Sequence, residues 1–264
     1  MSDITFENLP EWEVRANADN PSVEGHPAPH WQSASKTDIG RVRPLNEDAL
    51  LDSSEQGLWV VADGMGGHSR GDYASNAVVK KLLQFERQES LAANLQDLRD
   101  KLLEVNEQCR TAFRDKRPGT TVAAMLAHGR HCFFLWAGDS RIYRVREHTL
   151  QLLTQDHTVA QQKHARGELT KEEKRRHATS HVLTRAVGVH RSLELELGHS
   201  EALPGDRFLI CSDGLYNLLE REEIRTGMMT GTPEEACDGL VASALQNGGR
   251  DNITVIIIQP DAPQ

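Results

Sequence analysis

Six acidic residues in this chain stand where extended segments meet turns. Glu47-Asp48 follows Arg43-Pro44-Leu45-Asn46, Asp63 precedes Gly64, Asp139 follows Gly138, Asp213 precedes Gly214, and Asp251 precedes Asn252. A single Asp-Gly pair is an ordinary turn signal. Four strand-end aspartates plus an acidic pair need a further reason. Carboxylates brought within a few ångströms repel and raise one another's pKa, so such a group persists with cations between its members. All-oxygen ligation suits a hard ion, Mg²⁺ or Mn²⁺, and does not suit Zn²⁺, which prefers His and Cys. The twelve histidines do not alter this. His177 and His181 have i,i+4 spacing without the Glu of a zinc-protease motif, and His128 and His131 flank a turn; both pairs read as surface residues.

The elements that must position these acids are apolar runs: Leu58 to Ala62, Thr121 to Leu126, Cys132 to Ala137, Arg141 to Val145, Arg207 to Cys211 and Ile253 to Ile258. Their lengths, Val/Ile/Phe content and bounding turn residues favour strands. The first runs into Asp63, the third into Gly138-Asp139, the fifth into Ser212-Asp213, and Asp251 precedes the last. Each of these aspartates therefore lies at the lip of a buried strand, and with Glu47 and Asp48 they can meet at one rim. Between the strands, Leu91, Leu95, Leu98, Leu102, Val105, Cys109 and Ala112 form one stripe of a long helix from Leu91 to Phe113. A weaker helix is expected over about 73–87. Thr232-Pro233-Glu234-Glu235 is a capping-box helix start, ended by Gly248-Gly249. Thr170 and Glu173 can form another box, so a short helical hairpin is expected in 159–181. Strands in neighbouring pairs, with long helices only between groups, favour antiparallel sheets covered by helices.

Composition removes several function classes. The 264 residues are enough for one large domain or two small ones. Thirty basic against 39 acidic residues leave a net charge of −9, which argues against nucleic acid as the main partner. The longest apolar runs are far short of the roughly 20 residues a membrane span needs, and no secretory signal opens the sequence. Four widely spaced cysteines read as buried thiols of a reducing compartment, so a cytoplasmic protein is expected. Residues 1–30 carry four of the ten prolines and read as an N-terminal extension, extended or partly disordered. The folded body is expected from Trp31.

The motifs, taken in order, carry a resemblance. Gly40 to Asp48 (GRVRPLNED), Val60 to Gly67 (VVADGMGG), Pro118 to Thr121 (PGTT), Trp136 to Arg141 (WAGDSR), Leu153 to His157 (LTQDH), Leu183 to Gly188 (LTRAVG), Cys211 to Leu215 (CSDGL) and Gly248 to Thr254 (GGRDNIT) resemble the bacterial branch of the metal-dependent protein phosphatases, the type 2C serine/threonine phosphatases. The resemblance spans about residues 31–260 and implies an α+β fold, a four-layer αββα sandwich of two antiparallel sheets flanked by helices. It implies that Asp63 bridges two ions with the Gly64 carbonyl on one of them, and that Asp213 and Asp251 bind the other. Glu47 and Asp48 would hold metal-bound waters, and Asp139 with Asp213 would take a possible third ion. Arg43 matches the phosphate-clamping arginine. Its planar fork suits two phosphate oxygens in a way Lys cannot copy.

The resemblance thus implies a Mn²⁺- or Mg²⁺-dependent phosphatase in which a metal-bridging hydroxide attacks phosphoserine or phosphothreonine, opposing a cognate Ser/Thr kinase. By the same resemblance Asp63 and Asp213 would be central to catalysis, and a monomer is expected. One departure concerns Met65, which stands where eukaryotic members commonly carry a His proposed as general acid; His68 is the nearest histidine. In the family, 159–181 is a flap beside the active site, and here its Lys and Arg excess either attracts phosphoproteins or is a solvated face. Two other readings compete. A dinucleotide-binding enzyme fails because a G-x-G-x-x-G register from Gly64 ends on Ser69. A phosphoprotein-binding module with a dead centre would have lost ligands that this sequence keeps.

Overall fold

The computed structural model describes residues 4–18, 30–65, 70–113 and 118–261. In chain order the elements are α1 (Leu9–Ala18), β1 (Trp31–Asp38), β2 (Asp48–Ser53), β3 (Leu58–Met65), α2 (Gly71–Leu82), α3 (Leu91–Ala112), β4 (Gly119–Thr120), β5 (Val122–His128), β6 (His131–Ala137), β7 (Arg141–Arg146), β8 (Thr149–Leu152), α4 (Val159–Ala165), α5 (Lys171–Arg176), β9 (Glu196–Glu201), β10 (Arg207–Cys211), α6 (Asp213–Tyr216), α7 (Arg221–Met228), α8 (Pro233–Gln246) and β11 (Ile253–Pro260). One sheet has the order β1-β11-β10-β7-β8, the other β2-β3-β5-β6-β9 with β4 on β3. The strand pairs within both sheets are antiparallel.

Period-two alternation builds the layers. On β3, Trp59 and Val61 face the other sheet, where they meet Phe208, Ile210, Ile256 and Ile258. Leu58, Val60 and Ala62 face the helix layer, where α3 buries Leu91, Leu95, Leu98, Leu102, Val105 and Cys109. Ala112, the last residue of the expected stripe, is exposed. On the other flank, α7 and α8 cover Leu209, Cys211, Val255 and Ile257. The result is the expected αββα sandwich. All four cysteines are free and buried.

The capping boxes stand at Thr170/Glu173 and Thr232/Glu235, and α4 with α5 forms the expected short hairpin. Two expectations are corrected. Residues 9–18, read as part of a pliant arm, form a helix that adds Leu9 and Ala16 to the core. Pro10 is accommodated in its first turn, where its missing N–H is not needed. The Glu13 carboxylate accepts the Leu91 N–H at 2.9 Å and the Ser90 hydroxyl at 3.0 Å, so α1 caps α3. Pro21, Pro27 and Pro29 lie outside the described residues. The second correction follows from the first. His128 and His131 are buried rather than exposed: Nε2 of His128 bonds Asn17 of α1 at 3.0 Å, and Nδ1 of His131 bonds His199 of β9 at 2.9 Å, with Trp12 against the His199 ring.

Candidate active site

The acids reach one end of the sandwich through strand pairing and strand termination. Antiparallel register sets Asp48 directly opposite Asp63. The Asp63 backbone is fixed by its neighbours: its N–H donates to Thr121 Oγ1 at 3.0 Å, and its carbonyl accepts from Thr121 N at 2.9 Å and Thr120 Oγ1 at 3.0 Å. At Gly64 any Cβ would lie 2.4 Å from the Glu47 carbonyl oxygen and from the Gly71 backbone. Only glycine lets these three segments meet.

Asp139 follows β6, Asp213 opens α6 after β10, and Asp251 precedes β11, so both sheets contribute. Glu47, Asp63, Gly64, Asp139, Asp213, Asp251 and Arg43 all line one cavity of about 720 Å³. Asp48 lies behind that lining. Its Oδ2 accepts from Ser212 Oγ at 2.8 Å and Thr254 Oγ1 at 2.7 Å, which ties one sheet to the other. The Glu47 carboxylate accepts the Gly71 N–H at 3.1 Å, at the start of α2. Asp251 Oδ2 accepts from Arg43 Nη2 at 2.7 Å, and Asp213 accepts from Asn217 at 3.1 Å. As the side chains stand, no group of three or more His, Cys, Asp or Glu among the described residues is arranged to hold a metal ion.

Electrostatics tests whether the donor set fits a hard cation. Burial, reinforced by the Asp213 charge, pushes Asp139 up to about 8. Burial pushes Asp48 to about 7 against the pull of its two hydroxyl donors. Asp213 rises to about 6 through burial and the Asp251 charge, and Asp63 lies well above the ordinary carboxylate range through burial and the surrounding aspartates. Buried, mutually repelling oxygen donors are the environment a divalent cation relieves, so the residues fit the implied metals.

Several contributors lie in or beside the quoted motifs but had no role assigned from the sequence. Asn252 donates to the Ile39 and Leu45 carbonyls, both at 2.9 Å, and accepts the Glu47 N–H at 2.8 Å. It thereby fastens the loop that carries Arg43. Tyr216, one turn after Asp213 on α6, donates its hydroxyl to the Asp139 carbonyl at 2.9 Å. The Arg141 guanidinium lies 3.5 Å from the Tyr216 ring centroid and is held by both Asp156 oxygens at 2.7–2.8 Å. The exposed His181 lines the cavity. Met65 also lines it; His68 lies outside the described residues.

The family described as Protein phosphatase 2C matches residues 41–240. The chain belongs to that family. It is 32% identical over 243 residues to the serine/threonine phosphatase stp of Listeria monocytogenes, a match covering 87% of this chain and 96% of that protein. Among solved structures it is similar to PppA, described as a key regulatory component of T6SS in Pseudomonas aeruginosa, with 39% identity, a TM-score of 0.82, and coverage of 89% of this chain and 99% of that one. The catalytic domain of the serine/threonine phosphatase PstP, solved with two manganese ions, aligns with 33% identity and a TM-score of 0.76 over 87% of this protein phosphatase 2C chain and 97% of its own.

Proposed function

We propose that this chain is a metal-dependent serine/threonine protein phosphatase that hydrolyses phosphoserine and phosphothreonine on proteins, opposing a Ser/Thr kinase. The observation that carries the reading is the convergence of Asp63, Asp139, Asp213 and Asp251, from both sheets, in one cavity beside Arg43. In this reading residues 31–260 are the catalytic domain with a flap at about 159–181, and residues 1–30 are an N-terminal extension.

Asp63, with the Gly64 carbonyl, Asp213 and Asp251 would hold two Mn²⁺ or Mg²⁺ ions, Glu47 and Asp48 would support them through water, and Asp139 with Asp213 would take a third. When bound, the ions offset the carboxylate charge that would otherwise repel a phosphate dianion, and they lower the pKa of a coordinated water. Arg43 would exchange its Asp251 partner for two phosphate oxygens, orienting the phosphorus for in-line attack. Asn252 holds the Arg43 loop in place for this. With Met65 at the cavity wall, the leaving-group proton is assigned to solvent at the site.

Among the described residues no helix is long and apolar enough to cross a membrane. A cytoplasmic monomer is the accompanying proposal. The purified chain should hydrolyse an aryl phosphate and a phosphothreonine peptide with Mn²⁺, stop in chelator, and lose at least about a thousandfold in kcat on Asp213→Ala. Turnover that persists in chelator would remove the metal mechanism. Phosphopeptide binding without turnover under any divalent ion would favour a binding module of the same fold.

A further inference from the structure

We propose that Arg41 and Arg250 form a cationic rim that selects phosphorylated segments whose flanking side chains are themselves anionic; this rests on the phosphatase reading above. Arg250 lines the cavity, and the Arg41 N–H donates to the carbonyl of Gly249 at 2.7 Å. The two turns that carry these arginines are locked together. At Gly40, with φ +79°, a Cβ would lie 2.2 Å from the Asp251 carbonyl oxygen, so no other residue allows this approach. The Asn252 side chain bonds the carbonyls of Ile39 and Leu45 on either side of Arg41. The rim is therefore fixed by backbone contacts, while its side chains extend into solvent.

Among the described arginines only Arg41, Arg176, Arg191 and Arg250 lack a side-chain partner, and of these Arg250 lines the cavity and Arg41 stands on the turn bonded to it. Most described arginines have an assigned partner: Arg43 an acid in Asp251, Arg130 in Glu201, Arg141 in Asp156 and Arg146 in Asp206. Arg41 and Arg250 are exposed, and among the described residues neither side chain has an ion pair, a hydrogen bond or a ring contact. In a chain of net charge −9, two unpaired guanidinium groups beside the cavity run against the overall balance.

Arg43, two residues after Arg41 and lining the same cavity as Arg250, is the group placed to meet the phosphate. An extended peptide advances about 3.3 Å per residue, so with its phosphorylated residue at Arg43 the next few side chains pass over Arg41 and Arg250. A guanidinium fork pairs two oxygens of a carboxylate or of a second phosphate. The ligand class is thus an oxyanion-bearing flank, supplied by Asp and Glu or by neighbouring phosphoserine.

Phosphothreonine peptides of one length, flanked by Glu, Gln, Lys or a second phosphoserine, separate these cases when hydrolysed by the full chain with Mn²⁺. The kcat/KM ratio of Glu-flanked to Gln-flanked peptide should be about three- to tenfold, as expected for two exposed ion pairs. It should shrink at high ionic strength, fall to about one in R41Q/R250Q, and invert in favour of Lys flanks in R41E/R250E. A larger gain from phosphoserine than from Glu assigns the rim to clustered phosphorylation, and the reverse assigns it to acidic sequence. Equal Glu and Gln rates in the unaltered chain, or a ratio unmoved in R41Q/R250Q, overturns the rim while leaving the phosphatase intact. Failure of the unaltered chain to hydrolyse any peptide overturns the phosphatase reading and the rim together.

Discussion

Asp48, Asp63, Asp139 and Asp213 bind protons more tightly in the folded chain than in the unfolded one, because folding buries them together. The sign for stability follows. A carboxyl with a raised folded pKa stabilises the fold fully below its unfolded value of about 4, and that contribution disappears as pH rises through the folded values. In chelator, thermal unfolding should therefore show Tm falling from about pH 4 through the values near 6, 7 and 8, and added Mn²⁺ should remove most of the fall. A flat or rising Tm over that window without metal would mean these carboxylates do not share the repulsion described. Arg43 permits a second measurement at this scale. Losing a charge-assisted hydrogen bond of about 1.5–3 kcal/mol predicts that Arg43→Ala lowers kcat/KM about ten- to a hundredfold, and Arg43→Lys should recover little of it because the fork is lost. Unchanged kinetics in Arg43→Ala would end its assignment as the phosphate clamp.

At the scale of elements, α6 carries both Asp213 and Tyr216, and the Tyr216 hydroxyl joins that helix to the turn bearing Asp139. Tyr216→Phe keeps the ring under Arg141 and removes the tether. A lost hydrogen bond of about 1 kcal/mol should raise the Mn²⁺ concentration for half-maximal binding about fivefold, read by calorimetry as well as by activity. An unaltered Mn²⁺ isotherm would show that the tether does not position these carboxylates. At Thr232, Ala substitution should remove the α8 cap and cost about 1 kcal/mol, a fall in Tm of about 2–4 °C with kcat unaffected. The sequence could show that cap because its chemistry lies within four residues. The same locality explains which strands were legible. β3, β5, β6, β7, β10 and β11 lie inside their sheets and read as continuous apolar runs. Besides the two-residue β4, the missed strands β1, β2, β8 and β9 are the four edges, where sequences such as Trp31–Asp38 and Glu196–Glu201 are polar enough to pass for loop. The acids were legible because four of them lie within two residues of the end of an interior strand. Asn252 and Tyr216 were not, because their partners lie 77 to 213 residues away.

For the molecule as a whole, α1 packs at the end of β5 away from the chemistry. β5 starts beside Thr121, which bonds Asp63, and runs to His128, which bonds Asn17 of α1. Seven extended residues separate the two by about 20 Å. Removing residues 1–30 should expose the surface covered by Leu9 and Ala16 and cost about 2 kcal/mol net, a Tm loss of about 4–8 °C, while kcat/KM at a temperature where both forms are folded stays within about twofold. A large kinetic loss at unchanged Tm would give the extension a direct part in catalysis.

The pairing of β1 with β11, residue by residue from Trp31 with Pro260 to Asp38 with Ile253, also constrains how the enzyme comes into being. β11 is an interior strand of its sheet, and the turn before it supplies Asp251 and Asn252. A chain still emerging from the ribosome with that segment inside the exit tunnel can neither close the sheet nor secure the Arg43 loop. Products of premature termination upstream of residue 250 should therefore be inert toward phosphoproteins, and a newly made molecule becomes competent only after synthesis has passed β11.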